Sequence, residues 1–160
     1  YKIINNQFKI YRNNIILKNS EIYDITSYND NIYICSDNGV FKYNHQLESL
    51  SLLDSHIYYH IKILDSNIIV SNNNLWQLDI PGRTLISSNV NIFDVANQKI
   101  CATDLNELKI IDFNNGYEWY VDLSKLNNKS LIYSLDCDRD WLWFTNSKGV
   151  SFLNWSIYDK

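Results

Sequence analysis

Two groups of residues have the types and spacing from which metal chemistry could arise, and the first is acidic. Asp136, Asp138 and Asp140 alternate along the chain, as at the start of a calcium-binding loop. Such a loop needs a glycine near its sixth position and a glutamate at its twelfth. The chain has Trp141 and Ser147 there. The three aspartates are therefore predicted to form an acidic turn between two strands.

The second group is a pair of histidines, His56 and His60, which lie four residues apart. Two histidines with this spacing on a helix can share a zinc ion, but the glutamate of that motif is missing. On a strand the same spacing separates the side chains by about 13 Å, which is too far for one ion. The third histidine, His45, stands in a predicted turn. No metal site is predicted.

The cysteines and glycines give no sign of catalysis. The chain has three cysteines, an odd number, and no Cys-x-x-Cys pair. They are Cys35, Cys101 and Cys137, and each lies within an apolar run, so we expect buried free thiols. No Gly-x-Ser-x-Gly motif is present, and the four glycines stand singly, unlike those of a phosphate-binding loop. We therefore predict no catalytic residue, no cofactor and no enzyme activity.

Aromatic residues are the better candidates for a binding surface. The chain has 12 tyrosines and five tryptophans, more than small sheets need for their cores. Both residue types are favoured where proteins bind partners. The alternative is that they pack between sheets. The candidate binding residues, which we expect to be exposed, are Tyr58, Tyr59, His60, Trp119, Tyr120 and Trp155.

Charge and hydropathy exclude two classes of partner. The net charge is −4 and the basic residues are scattered, so no footprint for nucleic acid is expected. No apolar run approaches the roughly 20 residues that span a bilayer. The chain starts at Tyr1 and has no methionine. We therefore expect it to be part of a longer polypeptide, and an upstream signal peptide stays open.

A repeat of about 35 residues organises the chain. In four units a second apolar run ends on a hydroxylated residue, and these positions differ by 35, 32 and 42 residues. The four residues are Ser36, Ser71, Thr103 and Thr145. Each unit contains four runs that are rich in Ile, Val and aromatic residues and bounded by Asn, Asp, Ser or Gly, which predicts strands. Only residues 124–129 look helical or irregular.

The predicted fold is an all-β β-propeller of about five blades, each with four antiparallel strands, or an arc of a larger ring. Trp141-Leu-Trp-Phe144 is apolar on both faces, as expected where a blade is covered by neighbours on each side. A β-sandwich, in which strands normally have one wet face, is the alternative. The predicted divisions are a partial blade at 1–20 and blades at 21–53, 54–88, 89–123 and 124–160.

Two segments carry a family resemblance. The unit Ile132–Asn154 resembles the repeat of bacterial two-component-regulator propellers, with an acidic turn, a strand that contains Leu142-Trp-Phe-Thr145, and a following glycine. Ile22–Asn44 is similar, with Tyr33 in place of the tryptophan. Leu108–Trp119 is similar to the repeat of quinoprotein-like propellers. The resemblance implies WD40-like blades, and in the regulator family such blades form extracytoplasmic sensor regions.

The predicted function is a non-catalytic binding, scaffold or sensor module for a protein, peptide or glycan partner. The alternative is a propeller enzyme or a quinoprotein-like, cofactor-binding fragment. A sensor role would place the chain in the periplasm or outside the cell, although three free cysteines would also suit the cytoplasm. A first unit without its innermost strand would leave an open sheet edge, so we expect more chain or a partner to complete it.

Overall fold

The structure is a computed structural model that describes residues 2–4, 7–9, 17, 19–104, 107–123 and 131–156, the first two ranges by their backbone. Strands β1 (Lys2–Ile4) and β2 (Gln7–Lys9) pair as an antiparallel hairpin. The rest of the partial blade predicted at 1–20 lies outside the described residues except for Leu17, Asn19 and Ser20. The irregular segment predicted at 124–129 also lies outside them.

Four antiparallel sheets follow, and within each one the strands are neighbours in chain order. The first sheet consists of β3 (Ile22–Tyr28), β4 (Asn31–Ser36), β5 (Gly39–Asn44) and β6 (Ser49–Asp54). The second consists of β7 (His60–Leu64), β8 (Asn67–Ser71), β9 (Asn73–Leu78) and β10 (Arg83–Val90). The third consists of β11 (Ile92–Ala96), β12 (Lys99–Thr103), β13 (Leu108–Asp112) and β14 (Glu118–Val121). The fourth consists of β15 (Ser134–Cys137), β16 (Trp141–Asn146) and β17 (Gly149–Asn154). Its predicted fourth strand, from Ser156 onward, lies almost wholly outside the described residues.

The asparagine-rich turns explain how the first two strands of a sheet connect. In three sheets this connection is two residues that both have positive φ, the conformation of a tight hairpin turn that Asn and Asp tolerate. The pairs are Asn29–Asp30, Asp65–Ser66 and Asn97–Gln98. In the fourth sheet the side chain of Asp138 makes the turn, since its Oδ1 accepts the N–H groups of Asp140 and Trp141. The acidic turn predicted there is therefore a hairpin connection.

The glycine that opens β5 has a steric role. Gly39 has a φ of +115°, which side chains rarely adopt, and a Cβ atom there would collide with the carbonyl oxygen of Asp54. The glycine that the repeat places after its turn therefore lets the third strand approach the fourth closely. Gly149 has a similar φ of +126° at the start of β17, but open space surrounds it.

The sheets pack face to face in chain order, and their first strands lie side by side in the order β3, β7, β11, β15. We call these the inner strands. We call the face of each sheet that points to the next sheet its front, and the opposite face its rear. One apolar cluster fills each of the three spaces between sheets. Strand β12 is buried along its whole length, as two-sided covering requires. The predicted all-β architecture of stacked four-stranded sheets is confirmed.

The strand registers correct the repeat alignment in the first unit, where Ser36 is aligned with Thr103. Thr103 is the fifth residue of β12, counted from the two-residue turn before that strand, and the fifth residue of β4 is Cys35. Ser36 is the sixth and pairs with Gly39, as Asn146 pairs with Gly149 in the fourth sheet. Cys35, not Ser36, therefore occupies the place of Thr103, and a β-bulge near the start of β3 lies opposite Cys35 and Ser36.

The cysteines are free, as predicted. Cys35 and Cys101 are buried and Cys137 is half-buried. Burial raises the pKa of the Cys35 thiol to about 12, with the Asp24 carboxylate adding to the effect. Burial also raises the pKa of Cys101 and of Cys137 well above the ordinary thiol value, and the carboxyl of Asp94 adds to both shifts. Within the described ranges no helix is long and apolar enough to cross a membrane.

Candidate functional site

Each inner strand presents an ionisable residue, and in the last three sheets this residue lies at the same register position, opposite the third residue of the second strand. In the first sheet Thr26 holds that position and the ionisable residue stands two positions before it. These residues lie opposite Cys35, Ile69, Cys101 and Trp143 of the neighbouring second strands. They are Asp24, Lys62, Asp94 and Asp136, which we call the ionisable row. An inner strand has one edge that no strand of its own sheet covers, so its backbone N–H groups there need other partners. Asp136 was predicted from the sequence only as part of an acidic turn, and the row itself was not predicted.

Asp94 is the most fully engaged member of the ionisable row. Its Oδ1 lies 3.2 Å from the Nζ of Lys62, in the preceding sheet. Its Oδ2 accepts the backbone N–H of Cys137, in the following sheet, at 2.8 Å. The Asp94 side chain is buried whereas that of Lys62 is partly exposed. Both contacts are charge-assisted, so one carboxylate joins three consecutive inner strands.

Asp24 makes the same kind of link between the first and second sheets. Its Oδ2 accepts the backbone N–H of Ile61 at 2.9 Å, and its Oδ1 accepts that of Ile25 at 2.8 Å. The two aspartates therefore use their charge to satisfy backbone donors at the inner edge. This occupation favours a structural role for them over proton transfer to a substrate.

Two groups beside these links have displaced pKa values. Burial raises the pKa of Asp136, and a hydrogen bond and the charge of the neighbouring Asp94 raise it further, while Lys62 opposes the shift. Burial lowers the pKa of His60, and the carboxylate of Asp24 opposes that shift. His60 is therefore neutral at pH 7. Within the part of the chain that the structure describes, no three His, Cys, Asp or Glu side chains gather closely enough to hold a metal ion.

Two of the predicted binding residues are buried, so the expectation that they are exposed is wrong. The hydroxyl of Tyr58 donates to Oδ2 of Asp54 at 3.3 Å and accepts from Nη1 of Arg83 at 3.0 Å. Trp155 is fully buried, and its Nε1 donates to the carbonyl of Arg139 at 3.2 Å. Both side chains have hydrogen-bond partners inside the fold, which allows them to be buried. The number of aromatic residues in the sequence does not predict this.

The exposed candidate next to Tyr58 is Tyr59. Its ring stands edge-on to that of Tyr23, with centroids 5.2 Å apart, and half of its surface is open. His60 follows as the first residue of β7 and is half-buried. His56 lies before that strand, with Nδ1 2.6 Å from Oδ1 of Asp54. Strand β7 begins at His60, so the two histidines do not share a strand.

The other two candidates lie on β14, the outermost strand of the third sheet. Trp119 is half-buried and packs into the cluster between the third and fourth sheets. Tyr120 points to the opposite side, is exposed, and donates its hydroxyl to Oε2 of Glu118 at 3.2 Å. Tyr59 and His60 are therefore adjacent, whereas Trp119 and Tyr120 belong to a different strand and sheet.

The connections that lead into the inner strands meet the turns between second and third strands at one end of the sheets. Nδ2 of Asn72, in such a turn, donates to the carbonyl of Ile57 at 3.0 Å. Nδ2 of Asn38, in the corresponding turn of the first sheet, donates to Oγ of Ser20 at 2.8 Å. We call this end the loop rim. Its exposed large hydrophobic residues include Ile57, Tyr59, Leu131 and Tyr133.

Tyr133 is a functional candidate that the sequence analysis missed. Its backbone N–H donates to the carbonyl of Thr145 at 2.9 Å, and that of Tyr59 donates to Ser71 at 2.8 Å. The two tyrosines therefore occupy equivalent places in their sheets. Each stands 12 residues before the hydroxylated residue that it contacts. That shared spacing was the available signal.

The remaining turns lie at the opposite end, where the backbone N–H of Phe113 donates to the carbonyl of Gln98 at 2.9 Å. Tyr117 stands in the turn between β13 and β14 and is also exposed. Both ends carry exposed acidic residues, Glu21 and Glu107 on the loop rim and Asp30, Asp65 and Asp138 at the opposite end. The loop rim thus combines half-open aromatic side chains with acidic groups.

Comparison with known proteins shows the fold. No protein-family model matches the chain, and no curated protein matches it. The extracellular domain of the putative one component system BT4673 from B. thetaiotaomicron is similar with a TM-score of 0.67 at 15% identity, over 83% of this chain and 20% of that one. The N-terminal domain of Nup159 is similar with a TM-score of 0.60 at 14% identity, over 79% of this chain and 40% of that one. The computationally designed Ika4 protein gives 0.67 at 11% identity, over 85% of this chain and 92% of that one.

These neighbours are β-propeller domains, so the four stacked sheets are propeller blades. The chain spans less than half the length of the Nup159 and BT4673 chains. Identities of 15% or less carry the architecture alone.

Proposed function

We propose that the chain is a non-catalytic propeller module that holds a peptide segment of a partner protein on its loop rim. The observation that carries the proposal is the repeated placement of Tyr59 and Tyr133, which stand at equivalent positions and expose about half of their surface. Rigid aromatic side chains supply large contact area at little entropic cost, which is why they dominate binding surfaces.

The ionisable row supports a non-catalytic role. The acids that chemistry would use, Asp24 and Asp94, already accept backbone N–H groups of the following sheet. Breaking those bonds would release the inner edges of two sheets. The row therefore has a structural role, since it links the inner strands that follow the connections of the loop rim.

The charge of the loop rim indicates the kind of segment it would hold. Glu21 and Asp37 lie there close to Tyr23. Burial makes the largest contribution to the raised pKa of the Tyr23 phenol, and the charges of Glu21 and Asp37 raise it further. An acidic surface with apolar aromatic groups favours a peptide that carries basic and apolar side chains. One structure of a neighbour has Dbp5 bound to Nup159, so a chain of this fold can hold a protein.

A peptide library displayed on phage tests the proposal. We expect the wild-type chain to select peptides rich in basic and aromatic residues. Tyr59→Ala or Tyr133→Ala should each lower the affinity for a selected peptide by about 10-fold or more, because a residue that dominates a binding surface contributes over about 1 kcal/mol of binding free energy. Tyr117→Ala, an exposed tyrosine at the opposite end, is the matched control and should bind as wild type does.

Two results would overturn the proposal. One is that no peptide is selected; ligands from a glycan array would in that case assign the loop rim to sugars. The other is that selected peptides depend on Tyr117 but not on the loop rim. Tyr120→Ala is included because that exposed tyrosine is the remaining candidate from the sequence.

A further inference from the structure

Tyr23 is the extra residue of the β-bulge in the first inner strand. Ile22 pairs with Ser36 and Asp24 pairs with Cys35, so Tyr23 stands between them without a cross-strand partner. The inner strands of the other three sheets pair without such an irregularity. A bulge re-aims a side chain, and bulges are common next to functional sites. The first sheet therefore departs from the others at one aromatic residue.

The bulge turns Tyr23 toward the second sheet. Successive residues of a regular strand point to opposite faces. Here both Tyr23 and Asp24 reach the same neighbour, because Asp24 accepts the N–H of Ile61 and the ring of Tyr23 meets that of Tyr59. The two ring planes are inclined by 69° and their centroids lie 5.2 Å apart. They form two walls of a corner at the loop rim, which we call the aromatic corner.

Two carboxylates stand beside the aromatic corner, those of Glu21 and Asp37. The backbone N–H of Asp37 donates to the carbonyl of Glu21 at 3.1 Å, and that of Glu21 donates to Oδ1 of Asp37 at 3.2 Å. Nδ2 of Asn38 also donates to Oδ1 of Asp37, at 3.1 Å. Burial is the largest cause of the raised pKa of the Tyr23 phenol, and both negative charges add to it. The carboxylates are therefore close to the ring and held in place.

The protein supplies no cation to these two carboxylates within the ranges that the structure describes. The ion pairs there join His56 to Asp54 and Lys62 to Asp94. In the same ranges no three His, Cys, Asp or Glu side chains gather as a metal ion would require. Aromatic faces attract an organic cation, and carboxylates strengthen the attraction. The composition of the aromatic corner thus matches the head group of a basic side chain.

We propose that the aromatic corner between Tyr23 and Tyr59 receives the head group of a lysine or arginine side chain, which stacks on the rings and pairs with Glu21 and Asp37. The inference rests on the proposed function, since the peptide held on the loop rim supplies this side chain. Strand β11, which neighbours Tyr133 as β3 neighbours Tyr59, has a regular register. The cation is therefore selected at Tyr59, and Tyr133 provides apolar contact.

A double-mutant cycle with a selected peptide tests the site. Each basic residue of the peptide is replaced in turn, arginine by citrulline or lysine by norleucine. In the wild type one replacement should lower the affinity by about 10-fold or more, because a cation–π contact and its charge pair are lost. The same replacement should cost about 3-fold or less in Tyr23→Leu and in Glu21→Gln, which lack a wall or a charge of the corner.

Asp65→Asn is the matched control, because it removes an exposed carboxylate at the opposite end. It should keep the full loss seen with the wild type. Urea unfolding midpoints equal to that of the wild type establish that the variants are folded. Equal losses in the wild type and both corner variants would overturn the site but leave peptide binding intact. Selected peptides that lack basic residues would also overturn the site.

A small cation separates the site from the proposed function. If no peptide is selected, the proposed function fails, and titration with Nα-acetyl-arginine amide then tests the aromatic corner by itself. The ring signals of Tyr23 and Tyr59 in NMR spectra should move with this probe and stay unchanged with Nα-acetyl-citrulline amide, which has no charge. Ring signals that do not move, or that move equally with both probes, would overturn the proposal.

Discussion

The carboxylate of Asp94 links the third sheet to the fourth, because it accepts a hydrogen bond of 2.8 Å from the backbone N–H of Cys137. The contact joins residues 43 positions apart in sequence. It satisfies a donor at the inner edge of a sheet, where no strand of that sheet can do so. The blades are thus joined at their inner strands by charge-assisted contacts, in addition to the apolar clusters between the sheets.

We expect Asp94→Asn to destabilise the fold. The amide oxygen can still accept the N–H of Cys137, but the charge that balances Lys62 at 3.2 Å is lost. The free energy of unfolding in urea should fall by about 1–3 kcal/mol. Asp65→Asn, at an exposed turn where Asn also fits the backbone, is the control. Equal effects of the two substitutions would show that the link contributes nothing.

Asp136 makes the stability depend on pH. Burial, and then Asp94, raise its pKa in the folded protein. The folded protein therefore keeps this proton to higher pH than the unfolded chain does. The stability that the group contributes is complete below the ordinary carboxyl pKa and is lost as pH rises through the folded value.

Asp136→Asn should therefore unfold at a higher urea concentration than the wild type at pH 7. The difference should shrink as pH falls through the ordinary carboxyl range, because the wild-type group is then protonated in both states. Lys62 opposes the shift, so Lys62→Met should enlarge the effect. A constant difference between pH 3 and pH 7 would contradict this explanation.

The buried thiols should be unreactive in the folded protein. The pKa of Cys35 is about 12, and burial raises those of the other two cysteines as well. Thiolate is the reactive form, so a disulfide reagent at pH 8 should modify the cysteines only when urea unfolds the chain. Rapid labelling of a native thiol at the rate of free cysteine would contradict the structure.

Substitutions of Tyr58 and Tyr59 should have different effects, the first on stability and the second on peptide binding. Tyr58→Phe removes the hydroxyl that contacts Asp54 and Arg83, so we expect a loss of about 0.5–1.5 kcal/mol in unfolding free energy and no change in peptide binding. Tyr59→Ala should weaken binding and leave the melting temperature nearly unchanged. The reverse pattern would place the buried tyrosine, not the exposed one, at the binding surface.

The sequence predicted the strands well because their signals are local. Apolar runs alternate with Asn and Asp turns, and the two-residue connection Asn29–Asp30 has the positive φ values those residue types permit. The offset of Ser36 was not predicted, because the hydrophobic pattern does not show that β4 continues one residue beyond the equivalent end of β12.

The candidate site was harder to predict because it depends on contacts between distant strands. Nothing local distinguishes Tyr58, which is buried, from Tyr59, which is open. The ionisable row consists of single residues about a blade apart, and only the sheet registers show that Lys62, Asp94 and Asp136 are equivalent. The equivalence of Tyr59 and Tyr133 was available from their common spacing to a hydroxylated residue, once the blades were aligned.

Photo-crosslinking tests most directly whether the loop rim is the binding surface. A benzophenone amino acid replaces Tyr59 in one protein and Tyr117, at the opposite end, in another, and each is irradiated with a selected basic peptide. The structure predicts that the peptide becomes attached through position 59 and not through position 117. Attachment through position 117 alone would contradict the assignment of the loop rim.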